Sequence, residues 1–387
     1  MELWFSEFHT PDVKHSLRVN RHLYSQKSNY QQIDIYDTPE FGKVLTLDGN
    51  VMLTERDEFI YDEMITHVPM AVHPNVQDVL VIGAGDGGVV KELARYESIR
   101  SIDLVEMDEQ VVEACRRYLP ENACRLDDQR VHIYFDNALR FIRRRHAQYD
   151  LIIVDSTDPF GPSEGYFTRE FYGICYNALR DDGIMVNQQG SPFYRHDAEA
   201  MQRCHKRIVS TFPISRVYQA HIPTYAAGYW LFGFASKKYH PIDDFDRSKW
   251  LKLHLKTKYY TVRLHTGAFF LPAFLEEMLE EVAGDALLTI RRRFPDFPIA
   301  LNLSEDILYL PMEPMLIKQV IVNLLENAIR HSGDREHIQL HLFRQLLVVC
   351  MVKRQREPDL VLAVHFFLYK VFVKIKRELP AVRLQDL

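Results

Sequence analysis

Apolar and polar positions alternate with period two through the first 55 residues. Gln32-Ile33-Asp34-Ile35-Tyr36 alternates, and so does Lys43-Val44-Leu45-Thr46-Leu47. Asp48-Gly49 is a hairpin signal between the latter run and Val51-Met52-Leu53. The pattern predicts a small antiparallel sheet. From about residue 76 the period changes. Asp78–Ile82 is an apolar strand followed by a glycine turn and a helix near 88–97. The strand Ser101–Glu106, a helix near 109–118, the strand Val131–Phe135, a helix near 137–145 and the strand Asp150–Val154 follow. Short apolar strands alternating with helices predict an α/β domain, a parallel sheet covered by helices on both faces. Beyond about 284 the character shifts again. Residues 312–331 predict a helix with Leu316, Val320, Leu324 and Ala328 on one face.

With 387 residues, two or three domains are expected. Apolar residues make up 47% and charged residues 26%, which supplies a large core and excludes a mainly disordered chain. No run of 18 apolar residues occurs, so no membrane span is expected. The start, Met1-Glu2-Leu3-Trp4, lacks a signal-peptide pattern, and the expected location is the cytoplasm. Cys115, Cys124, Cys175, Cys204 and Cys350 form no CxxC, and the histidines form no HExxH, so no metal site is expected. Charge is uneven. Residues 286–387 carry 15 Lys+Arg and 11 Asp+Glu, which leaves residues 1–285 at a net −10. An acidic body suits a cationic ligand and argues against a nucleic-acid partner.

Gly83, Gly85 and Gly88 satisfy GxGxxG between a strand and a helix, and Glu106 ends the next strand, where a ribose hydroxyl is gripped. NAD enzymes and adenosylmethionine enzymes share this pattern. Asp86 lies inside the turn. A carboxylate there repels a pyrophosphate and favours a ligand bearing an ammonium. Asp155-Ser156-Thr157-Asp158-Pro159 follows the strand 150–154, so two carboxylates stand at the same end of the sheet. Such a pair can hold metal, serve as acid and base, or grip amines, and no histidine stands nearby to complete a metal set. Tyr61, Tyr225 and Gln189, which follows the strand Ile184–Asn187, complete the candidates.

These residues occur together in one order. Tyr30-Gln31, Gly42–Leu45, Leu47–Gly49, Thr54–Tyr61, Gly83–Gly88, Asp155–Pro162, Ile222–Tyr225, Lys258–Tyr260, Leu264–Thr266 and Ala268-Phe269 resemble the spermidine synthases, the polyamine aminopropyltransferase family. The resemblance covers about residues 2–284. It implies an N-terminal β-strand domain (1–60), a Rossmann-like, methyltransferase-like doubly wound domain (61–284) and an extension (285–387). It implies aminopropyl transfer from decarboxylated S-adenosylmethionine, a co-substrate, to putrescine, with no prosthetic group and no metal, in a homodimer or homotetramer. Glu106 would bind the ribose, Asp136 and Asn137 the adenine, and Gln31 and Asp86 the nucleoside side, with Asp86 on the aminopropyl ammonium. Asp155 would take the proton from the attacking amine, helped by Tyr61. Asp158, Gln189 and Tyr225 would hold putrescine, with Trp4 walling the pocket and loop 156–166 covering it. Asp62, where the bacterial pattern usually has His, and Ala84, in the nucleotide turn, depart from the family. Two other functions compete with this one. An amine N-methyltransferase would use ordinary S-adenosylmethionine and should lack Asp86, whose charge repels that cofactor's carboxylate. A nucleoside-binding regulatory protein would need no proton acceptor.

Residues 298–334 resemble a different family. Pro311–Val320 followed by Asn323–Ala328 is similar to the N-box helix of a sensor histidine kinase, in which Glu326 and Asn327 would serve catalysis and magnesium. The glycine-rich lid that should follow is absent, since no glycine occurs after Gly333. The expectation is a truncated, non-catalytic piece.

Overall fold

Alternation through residues 3–54 folds as two antiparallel sheets rather than one. Among the described residues strand β1 (Leu3–Thr10) pairs with β2 (Val13–Val19), while β3 (Arg21–Lys27), β4 (Gln32–Thr38), β5 (Gly42–Leu47) and β6 (Asn50–Thr54) form a four-stranded meander. Asp48 and Gly49 link β5 to β6 with φ of +49° and +80°, the primed turn that matches strand twist. Ile33, Ile35 and Leu45 turn inward and are fully buried. Each such side chain contributes about 1.5–3 kcal/mol. The computed structural model of the chain describes residues 2–156 and 165–279 and four strands beyond them. The chain divides into two compact units, Met1–Glu276 and Glu277–Leu387.

Helix α1 (Glu58–Val72) leads into the second sheet. There follow β7 (Asp78–Gly83), α2 (Gly88–Leu93), β8 (Ser101–Glu106), α3 (Glu109–Tyr118), α4 (Pro120–Ala123) and β9 (Val131–Phe135). Then come α5 (Ala138–Ile142), β10 (Tyr149–Asp155), α6 (Arg169–Ala178), β11 (Leu179–Gly190), α7 (Arg195–Val209), β12 (Ile214–Ala220) and β13 (Trp230–Ser236). The strand order is β12-β13-β11-β10-β7-β8-β9. Five strands are parallel, as the sequence pattern predicts. β13 runs antiparallel to β11, and β12 antiparallel to β13, and the two extend the sheet beyond that expectation. The strands feed both faces in turn: Val79, Val81, Leu151 and Ile153 enter one core, Leu80, Ile82, Ile152 and Val154 the other. That two-sided burial explains the continuous apolar runs. Helices α8 (Arg247–Lys252), α9 (Val262–Ala268) and α10 (Ala273–Leu279) close the unit. Buried Glu63 on α1 accepts backbone N–H groups of Lys258, Tyr259 and Tyr260 at 2.7–2.8 Å and anchors the segment before α9.

In the second unit β14 (Ile299–Leu303), β15 (Ile338–Phe343), β16 (Val361–Phe366) and β17 (Tyr369–Ile375) form a sheet of order β14-β15-β17-β16. The apolar stretch 361–373 therefore contributes two antiparallel strands. The expected helix 312–331, with Glu326 and Asn327, lies outside the described residues.

Candidate active site

Parallel strands deliver their carboxyl ends to one edge, and that edge holds the chemistry. β7, β8 and β10 end at Gly83, Glu106 and Asp155. Asp155 and Gly83 are register partners, and the Asp155 carbonyl accepts the Ala84 N–H at 3.1 Å. A Cβ on Gly83 would stand 1.9 Å from that carbonyl oxygen, and its φ is +81°. Only glycine allows the turn to begin there. A Cβ on Gly85 would meet the Glu106 carboxylate at 2.9 Å. Ala84 adopts φ +60°, a left-handed conformation that costs a non-glycine residue about 1–2 kcal/mol.

The turn opens on a cavity of about 530 Å³. Gln31, Tyr61, Gly83, Gly85, Asp86, Glu106, Asp155 and Tyr225 line it, all named by the sequence. The Tyr61 hydroxyl donates to Asp155 Oδ1 at 2.5 Å. Burial, then the charge of Asp86, pushes the Asp155 carboxyl up to about 7, against the pull of the Tyr61 hydrogen bond. Burial likewise raises Glu106 to about 7, although its Oε1 accepts the N–H groups of Met107 and Asp108 at 2.7 and 2.9 Å. Burial also raises Asp86, whose Oδ1 accepts from Gly88 N at 2.8 Å and Asn122 Nδ2 at 3.2 Å. Three crowded carboxylates make a cavity that attracts cations and holds protons without them.

Supports around the cavity reach it from separate elements. Asp108, the N-cap of α3, accepts from Ser28 Oγ at 2.6 Å and Gln31 Nε2 at 3.1 Å, which fixes Gln31 against the Glu106 end. Tyr225 donates its hydroxyl to the Met52 carbonyl at 2.7 Å. Buried Asp57 holds that turn in place: it accepts from Thr224 N and Oγ1 at 3.1 and 2.6 Å and from Thr54 Oγ1 at 2.6 Å. Asp57, Glu58 and Asp62 also line the cavity, though the sequence assigned them no role. Their spacing, one helical turn around Tyr61, carries the signal.

Four of the assigned residues do not line this cavity. Gln189 does not line the cavity; Gln188 does, with its Nε2 donating to the Ser156 carbonyl at 3.0 Å. Alternation along β11 sends adjacent residues to opposite faces, and the register shifts between Gln188 and Gly190. Gln189 instead packs beside Gly233, where a Cβ would meet its Nε2 at 2.1 Å. Trp4 is 53% exposed on β1 and does not line the cavity of the single chain. Asp136 and Asn137 stand outside it too. Asp136 is bound by the Arg140 guanidinium, which holds its carboxyl below the ordinary range, and Asn137 caps α5 by accepting from Arg140 N at 3.2 Å. Asp158 and most of loop 156–166 lie outside the described residues. Among the described residues no group of three or more His, Cys, Asp or Glu is placed to hold a metal ion, and no helix is long and apolar enough to cross a membrane.

The chain is similar to known proteins in sequence and fold. Residues 58–246 match the family described as the Spermine/spermidine synthase domain, and residues 3–55 match the Spermidine synthase tetramerisation domain. A polyamine aminopropyltransferase of Lachnospira eligens is 59% identical over 281 residues, 73% of this chain and 99% of that protein. One from Clostridium perfringens is 60% identical over 282 residues, with 73% and 99% covered. A solved spermidine synthase in complex with the transition-state analogue AdoDATO superposes with TM-score 0.70 at 42% identity, covering 72% of this chain and 95% of that one. The spermidine synthase from Thermotoga maritima gives TM-score 0.69 at 42% identity, with 72% and 94% covered. With its glycine turn, its acidic cavity and these relatives in agreement, the chain belongs to the spermidine synthase family of polyamine aminopropyltransferases.

Proposed function

We propose that this chain transfers the aminopropyl group of decarboxylated S-adenosylmethionine to putrescine, giving spermidine and 5′-methylthioadenosine, with Asp155 as the proton acceptor. The Tyr61–Asp155 hydrogen bond at 2.5 Å in the cavity wall carries this reading. An alkylamine is protonated at neutral pH, with a pKa near about 10. One nitrogen must lose its proton before it attacks. Asp155, at about 7, is a base matched to neutral pH, and Tyr61 fixes which oxygen faces the substrate. The freed lone pair forms a bond to the methylene beside the sulfonium. The carbon–sulfur bond breaks, and its electron pair neutralises sulfur, so the leaving thioether needs no acid. Charge disperses along this path, and placement of the two substrates supplies most of the acceleration.

Glu106 and Gln31 receive the nucleoside in this reading, and Asp86 takes the aminopropyl ammonium. Tyr225 and Gln188 wall the amine side, and Asp158 completes it from the loop. Residues 285–387 take no part in the chemistry: the curated relatives are matched over 99% of their length by about 281 residues of this chain. The match of residues 3–55 to a tetramerisation domain supports a homo-oligomer. The test is an Asp155→Asn variant assayed for methylthioadenosine release, in which turnover is lost while nucleoside binding persists. Unchanged turnover removes Asp155 from the mechanism.

A further inference from the structure

The cavity wall holds a second charged cluster that the mechanism above leaves unused: Glu7 and His9 from β1 and Asp197 from α7. One extra residue in β1 places His9 there. Phe8 pairs with Lys14 and Thr10 with Val13, so His9 is the bulged residue of the hairpin. A bulge re-aims the side chain it carries. The His9 Nε2 stands 2.8 Å from Asp197 Oδ2, and its Nδ1 stands 3.7 Å from Glu7 Oε1. His196 lies 3.9 Å from the other Asp197 oxygen. Tyr194 packs its ring on the His9 imidazole, with centroids 4.3 Å apart. Asp197 first, then Glu7, raise His9 to about 9 against the effect of burial, so the ring carries its proton at neutral pH.

Short links tie this cluster to the amine side of the cavity. Glu7 Oε2 accepts the Val51 N–H at 3.1 Å, and the next residue, Met52, gives its carbonyl to the Tyr225 hydroxyl. Tyr194 donates its hydroxyl to the Ala226 carbonyl at 3.4 Å, one residue past Tyr225. Trp230 packs edge-on against Tyr225 with centroids 4.6 Å apart, and it lines the same cavity. Tyr225 in turn lies 6.4 Å, ring to ring, from Tyr61, the partner of Asp155. The wall therefore runs from the proton acceptor past two tyrosines to a cation already held by two carboxylates. While His9 is charged, Glu7 and Asp197 are engaged with it.

We propose that His9 sets the length of the acceptor amine: its cation occupies the two carboxylates that would otherwise receive a further ammonium, so a diamine is accepted and a longer triamine is turned away. The proposal rests on the transfer reading above, with the amine seated on the Tyr225 side. Spermidine carries one more nitrogen than putrescine, and its chain brings a further ammonium along the wall. There it meets the imidazolium, a like charge in a partly buried cleft, and no carboxylate is free to offset the repulsion. Removing the cation while keeping both carboxylates reverses the balance, because Glu7 and Asp197 then bind the extra ammonium. The bond changes are the same for either amine: carbon–nitrogen forms, carbon–sulfur breaks, and the amine proton passes to Asp155.

The test compares putrescine and spermidine as acceptors. Methylthioadenosine release is measured for wild type, His9→Gln, His9→Lys and the double variant His9→Gln/Asp197→Asn, and kcat/KM for spermidine is divided by that for putrescine. His9→Gln should raise this ratio about tenfold. His9→Lys keeps a cation and should stay within about threefold of wild type. The double variant keeps the room but removes a carboxylate, and it should lose most of the gain. Thermal melts establish that each variant is folded at the assay temperature; should His9→Gln not fold, His9→Asn takes its place with the same expected rise. An unchanged ratio in the folded variant would overturn the proposal. So would an equal rise in the double variant, which marks an effect of space and not of charge. If the wild-type chain transfers to neither amine, the transfer reading itself is wrong and the proposal falls with it.

Discussion

Replacing Asp155 with Asn should move activity and stability in opposite directions. Asn keeps the shape and can still accept the Tyr61 hydroxyl, but it cannot take a proton. Loss of a positioned base costs about 10²- to 10⁴-fold in rate. The stability effect follows from the carboxyl group's position. Holding it at about 7 rather than at its usual 3.8 penalises the ionised form by about 4 kcal/mol. Asp155 is half-buried, and water at the cavity wall takes up part of that, leaving about 2–4 kcal/mol. The raised value means that the folded chain binds this proton more tightly than the unfolded chain does. Wild-type stability therefore falls as pH rises from about 4 to about 7, and stays lower above that. Asn does not titrate. Thermal melts at pH 5 should show the two proteins close together, whereas at pH 8.5 the variant should melt several degrees higher. The rate is read in parallel as methylthioadenosine release, and the wild-type kcat/KM should fall below about pH 7. A melting gap that does not change with pH would refute the burial argument. Turnover within threefold of wild type would refute the base.

Other substitutions probe the remaining parts. Asp86→Asn should raise the KM for decarboxylated S-adenosylmethionine about tenfold and strengthen competition by ordinary S-adenosylmethionine, measured by inhibition kinetics. Gly83→Ala places a methyl group 1.9 Å from the Asp155 carbonyl at φ +81° and should destabilise the unit by about 2–4 kcal/mol in urea, with nucleoside binding lost. A chain ending at residue 284 should keep activity within threefold of the full chain in the same release assay, since the second unit supplies no residue to the proposed chemistry.

The parallel strands and the glycine turn were legible because their causes are local. A strand buried on both faces must be apolar throughout, and a turn that abuts a neighbouring carbonyl must be glycine. Helix α3 begins and ends where the periodicity predicts, with Asp108 as its cap. Residues set by pairing between distant segments were less legible. Gln188 and Gln189 are chemically identical, and only the register of β11 against β13 decides which one faces the cavity. Asp57 reads as one more acidic residue until the fold brings Thr224 to it across the domain. Asp62 was visible as a departure from the family, but its burial against the start of α2 depends on how α1 packs on that helix. The division of residues 3–54 into two sheets also escaped the sequence, because alternation sets which face is buried and not which strands pair.

The identity of the transferred group separates aminopropyl transfer from every competing activity. Purified chain is incubated with decarboxylated S-adenosylmethionine and equal amounts of putrescine, cadaverine and spermidine, and the products are resolved by mass spectrometry. The expected result is spermidine and methylthioadenosine in equal amounts, formed from putrescine ahead of the other amines. A methylated amine formed only when ordinary S-adenosylmethionine is supplied, or no consumption of the decarboxylated substrate, would contradict it.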